Sequence, residues 1–443
     1  MREVDIAIIG GGAAGMAAAV GAYRSGVKDI LILERNDSLG GVLHQCIHNG
    51  FGLHRFDEDL TGVEFAQRYQ DMVEELDIPY ILKTFVIDLS EDKVITAVSP
   101  EEGLMKIRAK AVVLAMGCRE RTRNNLLIPG TRGAGIITAG TAQRYLNIDG
   151  YLPGKKVVIL GSGDIGLIMA RQLVLEGVEV KAVVEVMPYS GGLARNMKQC
   201  IEDFDIPVYY NSTVSRICGR ERVSSVLVSR VDENRNPIEG TEFEIDCDTL
   251  MISAGLIPEN ELTEQAGIQM SAATKGAAVT EDNQTSVSGI FSCGNVLHVH
   301  DLVDFVSEEG EETGAFAAAY VKRTALQAEG GAALHKETAS SSDKECRLAE
   351  NDLIRTESGS GVGGIVPHMI RRNTVQQQVS FMFRPKDRFR DVEIAVSSQG
   401  AELYSKRYVA LSPGEMCKVT VDSAKLMQAG DTLKIEVREA TER

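Results

Sequence analysis

The chain has 443 residues, 44% of them hydrophobic, with eight cysteines and no tryptophan. That length can bury more than one core and predicts two or three domains. Lys+Arg 47 against Asp+Glu 63 gives a net charge of −16, which argues against nucleic acid or an anionic membrane as partner and for a soluble protein.

No apolar run approaches the roughly 20 residues of a membrane span. The apolar N-terminus lacks the basic start of a signal peptide. The cysteines are scattered, with no CxxC pair, as expected in a reducing compartment. A cytoplasmic location follows as the expectation.

Val4 to Ile9 reads as a buried parallel strand that breaks into Gly10-Gly11-Gly12-Ala13-Ala14-Gly15, followed by a helical pattern from Met16 to Ser25. Gly10 permits the tight turn, Gly12 lets backbone approach a pyrophosphate, and Gly15 lets the helix pack close to the strand. The helix start, with Ala13 and Ala14, turns its amides and dipole toward the phosphates. A second strand, Ile30 to Leu33, ends at Glu34, where an acid accepts from ribose hydroxyls; Arg35 follows. Strand, glycines, helix, second strand and acid together predict a dinucleotide site.

Asn36 to Gly41 is a turn leading into Val42 to Gly50. Residues 61–76 read as a helix, with apolar Val63, Phe65, Ala66, Tyr69, Met72, Val73 and Leu76 at mixed three- and four-residue steps. Residues 80–89, 93–98 and 105–109 read as a meander, and Ala111 to Met116 as a buried strand closed by Gly117-Cys118. The opening pattern then returns. Lys156 to Leu160 is a strand, Gly161-Ser162-Gly163-Asp164-Ile165-Gly166 the turn, Leu167 to Glu176 the helix, and Val178 to Val184 a strand ending at Glu185. Gly15–Glu34 and Gly166–Glu185 share a spacing of 19 residues.

Strands follow near Val208 to Tyr210, Val223 to Val231 and Thr249 to Ala254, the last ending at Gly255. Residues 289–295 form a short strand and turn before a helix from about Val303 to Ala325. Positions 326–360, rich in Ala, Gly, Ser and Glu, read as a linker with little regular structure. Beyond it, alternating apolar and polar residues in five runs between Gln376 and Val437 predict a small antiparallel, sandwich-like β domain. It holds no catalytic constellation, so an interaction or dimerisation module is its default reading.

Two dinucleotide folds in one chain imply two dinucleotides, and the productive pair is a nicotinamide and a flavin. Over residues 1–325 the sequence resembles the two-dinucleotide-binding flavoproteins of the thioredoxin reductase and glutathione reductase superfamily. The matching motifs are both GxGxxG turns with Glu34 and Glu185, Gly40-Gly41, AMGCRE (115–120) with Pro129-Gly130, ISAGLIPEN (252–260) and GIFSCGN (289–295). The resemblance implies an α/β fold with two Rossmann-like domains. The FAD domain would be discontinuous (1–150 and 275–325), with an NAD(P) domain (151–274) inserted, then the linker and a C-terminal β domain (361–443). It implies FAD on the first copy, with Gly40, Gly41, Val42, Ala115, Gly117, Gly294 and Asn295 around it and the adenine by Val86. Asn295 stands where family members usually carry Asp. NAD(H) would lie on the second copy, at Gly161, Gly163, Asp164, Ile165, Gly166, Glu185 and Gly255.

The superfamily's reductases place a cysteine pair just after the first GG or inside the NAD domain. Here those places hold only Cys46 and Cys200, so disulfide reduction is not expected. Within the superfamily the chain is more similar to flavoprotein subunits that accompany a second, substrate-oxidising flavoprotein. Such subunits occur in anaerobic glycerol-3-phosphate dehydrogenase, opine oxidase and hydrogen cyanide synthase. GGVLHQCIHNGFG (40–52), MGCRERTR (116–123), TAGTAQRYLN (138–147) and SCGNVLHVHDLVDFVSEEGEETG (292–314) carry that likeness. It implies an electron-transferring subunit of a multi-component dehydrogenase of glycerol-3-phosphate or hydroxy-acid type. Its partners would be the substrate-oxidising flavoprotein and a small Cys-rich protein, with self-association through the β domain. Two alternatives stand beside it: a stand-alone NADH oxidase or peroxidase using Cys46, and an electron-transfer or scaffold subunit with a vestigial NAD site. The intact glycines at 161, 163 and 166 speak against the vestigial site.

Cys46 is the candidate catalytic thiol, with pocket lining as the favoured reading. His44 and His48 flank it, as turn residues or as contacts to flavin or substrate. His298 and His300 form an HxH without further soft ligands, so no metal site is expected and they line the flavin pocket or an interface. Arg119, Glu120, Arg121 and Arg123 read as a solvated face, with anion binding as the alternative. For the acidic run Glu308 to Glu312, solvent exposure suffices.

Overall fold

The computed structural model describes residues 1–331, 352–374 and 376–440. They form two compact units, Met1–Cys118 with Pro258–Arg443, and Arg119–Ile257.

The first unit is built on a sheet ordered Tyr80–Ile81, Ile30–Leu33, Arg2–Ile9, Gly103–Leu114, Val94–Ser99, Phe85–Leu89. Ile30–Leu33 is apolar throughout because both its faces are covered, and all four residues are buried, as in a parallel strand under helices. Ile290–Ser292 pairs in parallel with Val112–Leu114. The chain thus returns after the second unit to complete the first sheet, which makes this domain discontinuous.

Helix Ala13–Arg24 packs along helix Val303–Gly331 through small residues. A Cβ on Gly314 would sit 1.9 Å from the Ala18 carbonyl oxygen, and one on Gly310 2.5 Å from that of Ala14. The glycines therefore set how closely the two backbones approach, and with them the distance between the 294–303 turn and the Gly10–Gly15 turn.

The second unit repeats the plan. Its parallel sheet is ordered Ile136–Thr138, Thr249–Ile252, Lys156–Leu160, Glu179–Val184, Val208–Tyr209, beside a three-stranded antiparallel sheet of Ser212–Gly219, Val223–Arg230 and Phe243–Asp246. The unit begins earlier than the expected boundary at 151, because Ile136–Thr138 pairs with Leu250–Ile252 and is an edge strand of this sheet. It also ends earlier than 274, since Ala266 and Ile268 are buried in a core of the first unit.

The C-terminal β domain is present as two facing sheets around a common core. One is ordered Met369–Arg371, Leu353–Ser358, Thr432–Glu439, Phe389–Ser398, Ala401–Leu411, and the other Val362–Val366, Gln378–Pro385, Cys417–Asp422. Pairing is antiparallel except between Leu353–Ser358 and Thr432–Glu439, which run parallel. The expected linker at 326–360 is narrower than its composition suggested. Helix Val303–Gly331 runs through its first residues and strand Leu353–Ser358 occupies its end, while 332–351 lie outside the described residues.

Within the first unit the β domain is joined to segment 279–301. His368 N and Met369 N donate to the Val279 carbonyl at 2.9 and 3.2 Å, and Val279 N donates to His368 Nδ1 at 3.2 Å. Arg371 pairs with Asp282 at 2.6 Å, Arg384 donates to the Val299 carbonyl at 3.1 Å, and Val366 enters a core of the first sheet.

Candidate dinucleotide sites

The two glycine turns share one construction. Gly10 takes φ +106°, and a Cβ there would lie 2.4 Å from the Ala115 carbonyl oxygen; Gly161 takes φ +105°, with its Cβ position 2.1 Å from the Ser253 carbonyl oxygen. Only glycine serves at these positions. Gly15 and Gly166 bring helix onto turn, with Cβ positions 1.8 and 2.8 Å from the carbonyl oxygens of Gly10 and Gly161. Beside Gly12 and Gly163 a Cβ would meet nothing within 4 Å. Neither following helix has a side-chain cap. Uncapped first-turn amides facing open space fit a pyrophosphate at both turns.

The terminal glutamates repeat too. Glu34 is 4% exposed; its Oε2 accepts from Gly11 N and its Oε1 from Asn36 N, both at 2.7 Å. Glu185 is 7% exposed, with Oε2 accepting from Ser162 N at 2.9 Å and Oε1 from Met187 N at 2.8 Å. Each carboxylate is thus oriented by its own turn and keeps lone pairs for further donors. Two differences separate the copies. Ser162 Oγ adds a 2.6 Å bond to Glu185, where a side chain on Gly11 would meet Leu39 Cδ2 at 2.5 Å. Asp164 replaces Ala13, and its Oδ1 accepts from Leu193 N at 2.9 Å and Asn196 Nδ2 at 2.6 Å. That ties the loop after Glu185 over the second turn, together with Gly192 N donating to the Ser162 carbonyl at 2.9 Å.

Around the first turn, Gly40 N donates to the Gly11 carbonyl at 2.8 Å, and a Cβ on Gly41 would lie 3.3 Å from Gly12 Cα. Gly294 (φ +71°) stacks on Ala14, its Cβ position 2.7 Å from that methyl. The structure therefore brings Gly10–Gly15, Gly40, Gly41, Ala115 and Gly294 together. Gly117 also takes a positive φ, with open space beside it. Asn295 Oδ1 accepts from His300 N at 3.0 Å. Val42 is 65% exposed. Arg35 lies on the surface, paired with Glu259 at 3.1 Å, and the Val86 side chain points into the core beneath the sheet. In the second unit Gly255 takes φ +96° and Ile165 is half-exposed beside the turn.

Cys46 is buried, its Sγ 3.5 Å from the Val42 carbonyl. Burial pushes its thiol up to about 12, which disfavours the thiolate that redox chemistry needs. His44 and His48 bond backbone carbonyls of Leu39 and Asn49. The seven described cysteines are thiols, and Cys346 lies outside the described residues.

Three features went unread in the sequence. Asp304, 3% exposed, accepts from the amides of Gly52, His54 and Arg55 at 3.1, 3.0 and 2.9 Å, pinning that loop to the start of helix Val303–Gly331. Arg121 N donates to the Gly255 carbonyl at 3.0 Å, and Glu120 accepts from Gly140 N at 2.8 Å, so the backbone of the charge run is built into the second unit, with Arg119 exposed and Glu120, Arg121 and Arg123 half-buried. The acidic run 308–312 is likewise not simply exposed. Glu309 is 4% exposed; its Oε1 accepts from Gly294 N at 2.6 Å, and its Oε2 lies 2.7 Å from His298 Nε2 and 3.3 Å from His300 Nε2. Burial alone would raise the Glu309 carboxyl, but the two imidazoles more than offset this and hold it well below the usual carboxylate range. The spacing from His300 to Glu309 matches no ligand pattern read from sequence, because a loop and a helix turn bring them together.

A family model described as pyridine nucleotide-disulphide oxidoreductase matches residues 4–315. The chain belongs to that family. The family's description is that of an oxidoreductase working with a pyridine nucleotide. An opine oxidase subunit of Agrobacterium tumefaciens is 26% identical over 313 residues, 66% of this chain and 61% of that protein. The hydrogen cyanide synthase subunit HcnB of Pseudomonas aeruginosa is 26% identical over 329 residues, 69% of this chain and 67% of that one. This chain thus spans about three fifths to two thirds of the length of these relatives. Thioredoxin reductase from T. acidophilum shares the fold with a TM-score of 0.57 and 24% identity, over 74% of this chain and all of that one. An A. fulgidus NAD-dependent persulfide reductase does so with a TM-score of 0.55 and 17% identity, over 96% of this chain and 75% of that one. No described helix is long and apolar enough to cross a membrane.

Proposed function

We propose that this chain is an FAD-dependent, NADH-linked oxidoreductase that works without a redox disulfide, as the electron-transferring subunit of a multi-component dehydrogenase. The observation that carries the reading is the pair of glycine turns. Each is complete, each has an uncapped helix start, and each has a glutamate oriented by its own turn. A vestigial second site would have no reason to keep Gly161, Gly163 and the Ser162–Glu185 bonds.

FAD on the first unit would supply hydride acceptance from NADH and onward transfer of electrons singly or in pairs. The chain's own residues bind and orient. The amides of Ala13 and Ala14 would hold the FAD phosphates, and Glu34 would take a ribose. Gly294 and Asn295 close the site from the far end of the chain. On the second unit Gly163, Asp164 and Ile165 receive the nicotinamide nucleotide's phosphates, Glu185 its ribose, and Gly255 with Arg121 borders it. The thiol that follows the first GG, Cys46, is held protonated and provides no disulfide relay. Electrons on the flavin must then go to, or come from, something outside the chain. Both relatives named above are called subunits of larger enzymes, which supports a second, substrate-oxidising flavoprotein as partner.

Anaerobic stopped-flow mixing of the purified yellow protein with NADH tests the reading. Bleaching of the flavin band is the expected result. A protein that carries no releasable FAD, or whose flavin NADH leaves oxidised, would overturn it.

A further inference from the structure

We infer that His298, His300 and Glu309 form a binding site for a divalent first-row transition ion, zinc by its ligand set. The expectation of no metal rested on an isolated HxH; the fold adds the third ligand. His300 carries the argument. Its Nδ1 lies 3.1 Å from the His298 carbonyl, and a carbonyl only accepts, so the ring proton is on Nδ1. Nε2 is then the ring nitrogen left to face the cluster. It lies 3.3 Å from Glu309 Oε2, itself only an acceptor, and has no hydrogen-bond partner. The imidazole is 1% exposed and the carboxylate 4%. A buried ring nitrogen without a hydrogen-bond partner, facing a buried carboxylate and a second imidazole, is the arrangement of a ligand set.

The three ligand atoms lie within 4.8 Å of one another. An ion about 2.0–2.2 Å from each sets such atoms roughly 3–4 Å apart. The His300 pair already meets that, and the 2.7 Å contact from His298 opens slightly as the ion takes the place of its proton. The outer contacts are those of ligating groups: His300 donates its other ring N–H to a carbonyl, and the free oxygen of Glu309 accepts from Gly294 N at 2.6 Å. Two imidazoles and a carboxylate suit zinc or iron(II), not the all-oxygen preference of magnesium or calcium. An ion here would fasten the Gly294–Asn295 turn to helix Val303–Gly331, a structural role that adds no step to electron transfer.

Metal analysis of the full chain, purified without chelators or a histidine tag, tests this. About one equivalent of zinc, or of iron(II) in its place, is expected per chain. That content should fall at least about fivefold in both His300→Ala and Glu309→Gln. X-ray absorption at the metal edge should show nitrogen and oxygen neighbours without sulfur. Under about 0.1 equivalent in the wild-type chain, with no rise in melting temperature when zinc is added back, overturns the site. So does a sulfur shell, which would place the metal on cysteines, or a content that both variants leave unchanged. The wild-type measurements stand even if a variant does not fold.

Discussion

At the scale of single residues, burial decides more than identity. Cys46 occupies the position where a redox thiol would be sought, and its place beside the first GG is legible in the sequence. Its environment is not. With the thiol pushed up to about 12, the thiolate fraction at pH 8 is only about one in ten thousand. Cys46→Ser should therefore keep flavin reduction by NADH and any turnover with oxygen or peroxide within a few-fold. Native Cys46 should alkylate with iodoacetamide at pH 8 orders of magnitude more slowly than an exposed thiol. Loss of turnover in Cys46→Ser at normal flavin content would overturn the pocket-lining reading and make Cys46 a redox centre.

Glu185 gives the opposite case: its proposed ribose contact is read from spacing, and the structure adds the contacts that orient the carboxylate. Ser162 N, Ser162 Oγ and Met187 N hold its carboxylate in place. A fixed buried anion accepts from a ribose 2′-OH and repels a 2′-phosphate. Val186-Met187-Pro188-Tyr189 offers no arginine to reverse that. NADH should reduce the flavin with kcat/KM at least about tenfold above NADPH, roughly 1.4 kcal/mol in transition-state binding. Stopped-flow reduction with each nucleotide measures the ratio, and parity or reversal counts against the assignment. By contrast, the exposure assumed for Glu309 from its acidic neighbours was misplaced. The run lies on a helix whose one face turns to Gly294 and the two histidines.

At the scale of elements, both strand–turn–helix units could be read because their glycines answer local demands. A positive φ at Gly10 and Gly161, and open space at Gly12 and Gly163, follow from the turn itself. The contact between helices Ala13–Arg24 and Val303–Gly331 could not be read so directly, since about 290 residues separate its two sides. Its cause is still written in the sequence, as Gly310 and Gly314 one helical turn apart. At an exposed helix position Gly→Ala stabilises by up to about 1 kcal/mol. At 314 the new methyl would lie 1.9 Å from the Ala18 carbonyl oxygen, so the clash wins. Gly314→Ala should lose about 1–3 kcal/mol in denaturant unfolding and weaken FAD retention, because the Gly294 turn is carried on the same helix. An unchanged midpoint would mean the helices part without cost.

At the scale of the whole molecule, the β domain changes the reading most. Its strands were legible from alternation, but composition and turn signals gave no hint of what it faces. One part of it is occupied within the chain itself. Arg371 pairs with Asp282, Arg384 with Asp301, and His368 bonds Val279, so the domain braces segment 279–301, which leads into the Gly294 turn. That leaves the rest of its surface, and the rest of the first unit, for a partner. The electron path sets what such a partner must do. Among the described residues there are two glycine turns, no relay at Cys46, and no recognisable set of side chains for an organic substrate. The isolated protein should therefore pass electrons from NADH to artificial dyes. It should not oxidise glycerol 3-phosphate or comparable hydroxy acids unless a second flavoprotein is added. Anaerobic titration of the purified chain with such substrates decides the matter. A flavin that stays oxidised until the partner is supplied fits an electron-transferring role. One that bleaches with substrate alone makes this chain the substrate-oxidising enzyme, and moves the search for a binding pocket to the loop that Asp304 holds over the start of helix Val303–Gly331.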